Sequence, residues 1–548
     1  MIVLPRGALA RRQPLRCVAP AGGQAEVNPL GASHSVVFYT DARLSQAGLG
    51  TWAIWSGAAV TPPALPSAFP VSGVPVRKTK IVMTMGPALM QEDRLRAALK
   101  EADAVRLNAS HGDPEARLKT LTMVRTIAAE LGRSIPVFLD LQGPKWRIGA
   151  LESPVTLTER SVGAFYAQGA TLTQGLAWTA PLPHPELFEG AVRGQLWLLD
   201  DGAITVKVLS RSSDVVMAEV VVGGPLKSRK GVHPIGLDVL MSPLTDKDHI
   251  DIRWGVEHQV DLFAQSFVRR ASDVQQLQAI VHHLGGNQHV IAKIEHPTAL
   301  SHLEEILDVS WGIMVARGDL GLELGVERVP SLQKQIIRAA RQALKPVITA
   351  TQMLESMIEH PQPTRAEASD VANAIWDGTD AVMLSAESAV GAYPVEALQW
   401  LARIATEADA NVKQRVTTLP EDMSEKALAR TDISVAFAAC RTADEINARW
   451  IVAFTEGGGM ARMVSRLAGR TPILAATVDE QIAKLMGLLR GVTALVIPKV
   501  ANTDDMVEVV RELLVAEHGA VSTDRIVMTM GLPLWKTGTT NTMKVMTF

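Results

Sequence analysis

From residue 78 onward, short apolar runs alternate with longer stretches in which apolar residues recur every three to four positions. Eight runs stand out: KIVMTM (80–85), AVRLNAS (104–110), PVFLDL (136–141), DLFAQSF (261–267), HVIAKIE (289–295), GIMVARG (312–318), PVITAT (346–351) and AVMLSAE (381–387). Short runs rich in Val, Ile and Leu predict parallel strands buried on both faces. The stretches after them, such as SLQKQIIRAARQAL at 331–344, carry helical periodicity. Eight strand–helix units predict an α/β protein built on a (β/α)8 TIM barrel.

The spacing breaks once. About 120 residues separate PVFLD from DLFAQSF, far more than one crossover helix needs. Within that gap TLTQG, GQLWLLDDGAITVKVL and VVMAEVVVGG read as strands joined by turns. A small all-β lid domain inserted into the barrel is therefore expected, with barrel at 76–145, lid at 146–243 and barrel again at 244–411. On the loop side of the barrel such a lid would cover an active site.

Residues 1–75 break the pattern in another way. Residues 44–76 carry no charge, but Pro62, Pro63, Pro66, Pro70 and Pro75 interrupt them, against a membrane helix. Residues 1–25 hold Arg6, Arg11, Arg12 and Arg16 and no acid, which resembles an organelle transit peptide. The simpler expectation is a poorly ordered extension or a misassigned start. In the whole chain of 548 residues, 47% are hydrophobic and 20% charged, a globular composition with room for several domains. A net charge of −3 argues against a broad nucleic-acid face, although Lys227-Ser-Arg-Lys230 is a short basic patch. Cys17 and Cys440 alone give no disulfide framework, so a reducing cytoplasm is the simplest compartment.

Polar residues collect at the ends of the runs, where a barrel carries its chemistry. Arg106, Asn108 and Ser110 close the second, Asp140 the third, and Lys293 and Glu295 the fifth. Arg317 and Asp319 close the sixth, Thr351 the seventh, and Ser385 and Glu387 the eighth. Lys293 and Glu295 are two apart on a strand, so they point the same way. With Asp319 one strand over, two carboxylates with open positions suit Mg²⁺, and Lys293 beside it can stabilise an enolate or a transferring phosphoryl group. Backbone N–H groups at Gly318 and Asp319 could hold a substrate carboxylate. No GxxxxGK[ST] or GxGxxG fingerprint appears, so side chains such as Arg106, Arg147 and Lys230 would have to hold a nucleotide. Lys145, after a Gly-Pro turn, reads by itself as a solvated charge.

The segments VRLNASHG, DLQGPKWR, DDGAITVKV, KSRKGV, AKIEH, IMVARGDLGLELG, the run from ITATQMLES to DAVMLSAES, and GTTNTMKV together resemble the pyruvate kinase family over residues 76–548. The resemblance implies transfer of the phosphoryl group of phosphoenolpyruvate to ADP, giving ATP and pyruvate in the last step of glycolysis. It implies Lys293, Arg106 and Thr351 as catalytic residues, with substrate held by Arg106, Lys293, Gly318, Asp319 and Thr351. It also implies Glu295 and Asp319 as ligands of Mg²⁺ (or Mn²⁺), and Asn108, His111, Arg147 and Lys230 around the nucleotide. Residues 412–548 resemble the family's regulatory α/β domain, and a homotetramer follows from the family. A phosphorylated effector would lie near Glu456–Met460, but Gly457 and Met460 stand where effector-binding members have hydroxyl residues. Other departures are Trp311, Ala386, Ser388, and His296-Pro297 after the metal glutamate.

The departure at Lys145 changes the cofactor expectation. K⁺-dependent members usually carry glutamate there and a hydroxyl residue at Leu141; their K⁺ site would use Asn108, Ser110 and Asp140. The resemblance therefore implies a remnant K⁺ site, near which the Lys145 ammonium replaces the ion, and activity without K⁺. Two other readings are a metal-dependent aldolase or lyase acting on 2-oxo acids, and a silent metabolite-sensing homologue. The first needs no nucleotide clamp, and the second would have lost Lys293, Glu295, Asp319 or Thr351.

Overall fold

The computed structural model describes residues 77–237, 242–412, 430–534, 536, 538 and 540–548. The expected extension at 1–75 lies outside the described residues. The eight barrel strands are β1 Lys80–Thr84, β2 Ala104–Asn108, β3 Val137–Asp140, β4 Leu262–Gln265, β5 His289–Ile294, β6 Gly312–Ala316, β7 Val347–Ala350 and β8 Ala381–Met383. Each pairs in parallel with its neighbours in sequence, and β1 closes on β8 through Lys80–Ala381 and Ile81–Val382. All eight apolar runs thus contribute one strand each, shorter than the run because the last residues turn outward.

Between β3 and β4 a six-stranded sheet is ordered Val232–Pro234, Leu196–Leu199, Ile204–Arg211, Val215–Val222, Val162–Tyr166, Thr179–Pro181. Its core is built on Phe165, Trp178, Trp197 and Phe188, the last carried by the one-and-a-half-turn helix Pro185–Gly190. TLTQG is not a strand: Thr171–Gly175 is a largely exposed turn segment, and Gly175 is left-handed at φ 86°. It has too few apolar residues to cover a sheet face, and Val162–Tyr166 takes that place.

The C-terminal sheet runs Val492–Val496, Ile473–Thr477, Trp450–Phe454, Arg525–Gly531 and, antiparallel at the edge, Thr540–Thr547. Its helix Glu480–Met486 and the following turn cover the floor of the barrel. Leu485 and Leu488 join Val82, Phe138, Met314 and Ile348 in one apolar cluster, and Trp311 packs partly buried against it.

The same junction holds buried charges. Asp409 accepts hydrogen bonds from the Lys78 and Thr79 amides (2.7 Å each), the Thr79 hydroxyl (3.0 Å) and Arg490 (2.7 Å). Asp380 pairs with Arg466, which also donates to Lys345 O. Removing one member of a buried pair strands the others, at a cost of about 3–5 kcal/mol. Asp409→Ala should therefore lower the thermal unfolding midpoint clearly in differential scanning calorimetry. An unchanged midpoint would mean the junction does not depend on this carboxylate.

Candidate active site

At the C-terminal mouth of the barrel a cleft of about 330 Å³ is lined by Arg106, Asn108, Ser110, His111, Asp140, Lys145, Arg147, Lys230, Lys293, Glu295 and Asp319. Gly318 and Thr351 line an adjoining cleft of about 840 Å³ that shares Lys145 and Asp319. Residues from the ends of five barrel strands and from the inserted domain thus line two adjoining clefts at the mouth, where a barrel gathers its strand ends.

Lys293 and Glu295 project from one face of β5 and its end. Lys293 Nζ lies 2.8 Å from Glu295 Oε1 and 3.4 Å from Asp140 Oδ1, and donates to Ser266 Oγ at 2.7 Å. Burial alone would lower the pKa of Lys293, but Asp140, Glu295 and Asp319 outweigh it and hold the ammonium above the ordinary lysine value. Burial also pushes Asp140 up, yet Lys293 and Arg106 bring it below the usual carboxylate range. Arg106 donates to Asp140 Oδ2 at 2.6 Å and to the Thr84 hydroxyl at 3.2 Å.

Glu295 is fully buried. Its Oε2 accepts the Phe267 amide at 2.7 Å, and Oε1 is ion-paired with the Lys293 ammonium at 2.8 Å. Burial raises its pKa, Lys293 opposes this and Asp319 adds to it. A cation beside Oε1 would favour the charged form. Among the described residues no group of three or more His, Cys, Asp or Glu side chains could hold a metal alone. Glu295 and Asp319 line the same cleft and could together hold an ion that keeps waters and substrate oxygens, as Mg²⁺ does.

Lys145 is where the structure departs most from expectation. Its ammonium does not bond Asn108, Ser110 or Asp140; it donates to Asp319 Oδ1 (3.2 Å) and to Asp201 Oδ1 of the inserted domain (3.1 Å). The reason is electrostatic. Asp140 already has Arg106 and Lys293, and the Asn108 side chain accepts the Ser110 amide at 3.0 Å. The remaining negative charge lies on the other side of the cleft. Burial would lower the Lys145 pKa, but Asp319 and Asp201 raise it, so the side chain stays charged. Asp200 and Asp201 both sit in the left-handed region (φ 51° and 52°), a conformation Asp tolerates better than most residues, and this tight turn aims Asp201 at Lys145.

The cations expected around a nucleotide converge on the hinge between barrel and insertion. Arg147 donates to Arg229 O (3.1 Å) and Lys230 pairs with Asp200 (2.6 Å). Burial, then Arg147, Arg106 and Lys247, lower the His111 pKa, which keeps the ring neutral. Thr351 accepts the Gly318 amide at 2.9 Å through its hydroxyl, which itself donates to Ala350 O at 2.7 Å.

The model for the pyruvate kinase barrel domain matches residues 76–398, and the model for the pyruvate kinase alpha/beta domain matches residues 433–546. A pyruvate kinase of Agrobacterium vitis is 43% identical over 86% of this chain and 98% of its own length. The chain belongs to the pyruvate kinase family. It is a phosphotransferase of that class, EC 2.7.1.40. Pyruvate kinases of Geobacillus stearothermophilus and Staphylococcus aureus (strain MRSA252) are 39% and 37% identical, each over 86% of this chain and 80% of their own length.

Within this pyruvate kinase fold, two contact residues, Asp201 and Ser266, carry no site expectation from the sequence. Asp201 was seen only as part of the DDG turn, and Ser266 only as the end of a strand. Glu387 is fully buried, accepting the Leu354 and Ser385 amides at 3.1 and 2.7 Å and so tying the turn after β7 to the end of β8. Ser388 exchanges hydrogen bonds with the Thr84 backbone (3.0 Å each), closing β1 onto the helix after β8. Among the described residues no helix is long and apolar enough to cross a membrane.

Proposed function

We propose that the chain transfers the phosphoryl group of phosphoenolpyruvate to ADP at this barrel mouth, with Lys293 as the central catalytic residue. The contact between Lys293 and Glu295, with Asp319 in the same cleft, carries this reading. Glu295 and Asp319 would hold Mg²⁺ or Mn²⁺, which when bound neutralises charge on the transferring group and the enolate oxygen. Lys293 and Arg106 bring two fixed positive charges to the phosphoryl path, where negative charge spreads in the transition state. The Asp319 amide, joined by the Gly318 amide once it leaves the Thr351 hydroxyl, would take the substrate carboxylate. The Thr351 hydroxyl, now bonded to the Gly318 amide, stands where the enolate carbon receives its proton. Arg147 and Lys230, with Asn108 and His111, hold the nucleotide as the insertion closes.

K⁺ is not required in this reading, because Lys145 supplies a covalently attached charge. It does so against Asp319 and Asp201 rather than inside the Asn108, Ser110 and Asp140 remnant. A homotetramer in the cytoplasm is the assembly and compartment that fit the family. A phosphorylated effector would use the cleft of about 270 Å³ lined by Gly457, Met460 and Arg462 at the head of the helix Gly459–Leu467.

Purified protein should form ATP from phosphoenolpyruvate and ADP with Mg²⁺, lose this with EDTA and regain it with Mg²⁺ or Mn²⁺. Cleavage of a 2-oxo acid with no ATP formed would instead favour the aldolase or lyase reading. Neither reaction would leave the silent homologue.

A further inference from the structure

We infer that Arg317 is a positioning residue for the reaction, clamping with Asp370 the turn that carries the Thr351 hydroxyl. This rests on the reading of Thr351 given above. Thr351 and Gln352 both lie in the left-handed region, at φ 69° and 54°. For a β-branched residue that is a true outlier, which persists only when its surroundings over-determine it. Without such support the chain after β7 would relax and carry the hydroxyl away.

The support is one guanidinium. Arg317 opens the helix Arg317–Leu324 after β6 and is only 7% exposed. Its Nε and Nη2 donate to Thr351 O at 3.2 and 2.6 Å, and Nη2 also donates to Gln352 O at 3.1 Å. Both carbonyls it grips belong to the strained residues. Nη1 donates to Asp370 Oδ2 at 2.6 Å, which fixes the plane of the fork from the helix Arg365–Asp377. The next residue completes the grip, since the Gly318 amide holds the Thr351 hydroxyl itself. Two consecutive residues therefore hold both ends of one threonine.

A simple ion pair does not explain the arrangement. The Asp370 side chain is 41% exposed and could be satisfied by water, whereas the guanidinium is driven inward onto two carbonyls. A lysine in its place could keep the charge but not the planar set of donors.

The test compares Arg317→Lys, Asp370→Asn, Thr351→Ala and the Arg317→Lys/Thr351→Ala double variant by kcat, by KM for each substrate and by thermal midpoint. Arg317→Lys should lower kcat roughly 10- to 100-fold, as a misplaced group does, with KM for ADP within about twofold. Asp370→Asn should lower kcat in the same direction at an unchanged midpoint. In the Thr351→Ala background, Arg317→Lys should cost less than about threefold, because the group it positions is already gone. If Arg317→Lys does not fold, Asp370→Asn with and without Thr351→Ala gives the same comparison. Fully additive losses, or wild-type kcat in both Arg317→Lys and Asp370→Asn, overturn the clamp alone. An unchanged kcat in Thr351→Ala overturns the reading of Thr351, and the clamp with it.

Discussion

Lys293→Met should lower kcat at least about 10³-fold while the protein still folds, the scale seen when a charge on a transferring phosphoryl group is removed. The ammonium is held by Ser266 Oγ at 2.7 Å and Glu295 at 2.8 Å, so its position does not depend on substrate. Methionine has similar length and fills the space, which confines the change largely to charge. The loss has a second part. Asp140 and Glu295 are both buried, and Asp140 keeps Arg106 whereas Glu295 keeps only the Phe267 amide. A buried carboxylate without its cation takes up a proton rather than stay charged. Glu295 would then hold a divalent ion less well, and more Mg²⁺ should be needed for the residual turnover. Steady-state kinetics over a Mg²⁺ series, with circular dichroism to confirm folding, check both parts. Turnover within about tenfold of the unmodified enzyme would contradict this role for Lys293.

Lys145→Glu should lower kcat/KM more than about 10³-fold in K⁺-free buffer, and added K⁺ should restore part of it. At 4 Å and an effective dielectric near 20, one unit charge is worth about 4 kcal/mol, which corresponds to about three orders of magnitude. The substitution also sets three carboxylates against one another, since Lys145 now bridges Asp319 and Asp201. Asp201 belongs to the inserted domain and Asp319 to the barrel, so the bridge links the lid to a proposed metal ligand. Lys145→Met separates these effects: it removes the charge without adding repulsion, and should fall between the two. Equal activity for all three proteins without K⁺ would make Lys145 an ordinary solvated lysine.

The barrel was legible because its strands are buried on both faces and therefore read as unbroken apolar runs. The site was legible where chemistry follows strand geometry. Lys293 and Glu295 share a face because they are two apart on β5, and Asp140 and Arg106 meet because β2 and β3 are neighbours. Contacts that depend on the lid were not legible. Asp201 reaches Lys145 across 56 positions through a left-handed turn without glycine at either Asp200 or Asp201. The backbone conformations of the barrel residues Thr351, Gln352 and Phe267 were not legible either; their positive φ angles accompany tertiary hydrogen bonds to their backbone groups. TLTQG was misread because Thr and Leu at strand-like spacing say nothing of whether a sheet face is left for them to cover.

The most direct measurement is the turnover of the unmodified enzyme with phosphoenolpyruvate, ADP and Mg²⁺ in tetramethylammonium buffer, with and without K⁺. An attached cation at Lys145 predicts the same kcat/KM in both, within about twofold. A rise of tenfold or more on adding K⁺ would show that the site still needs a free ion.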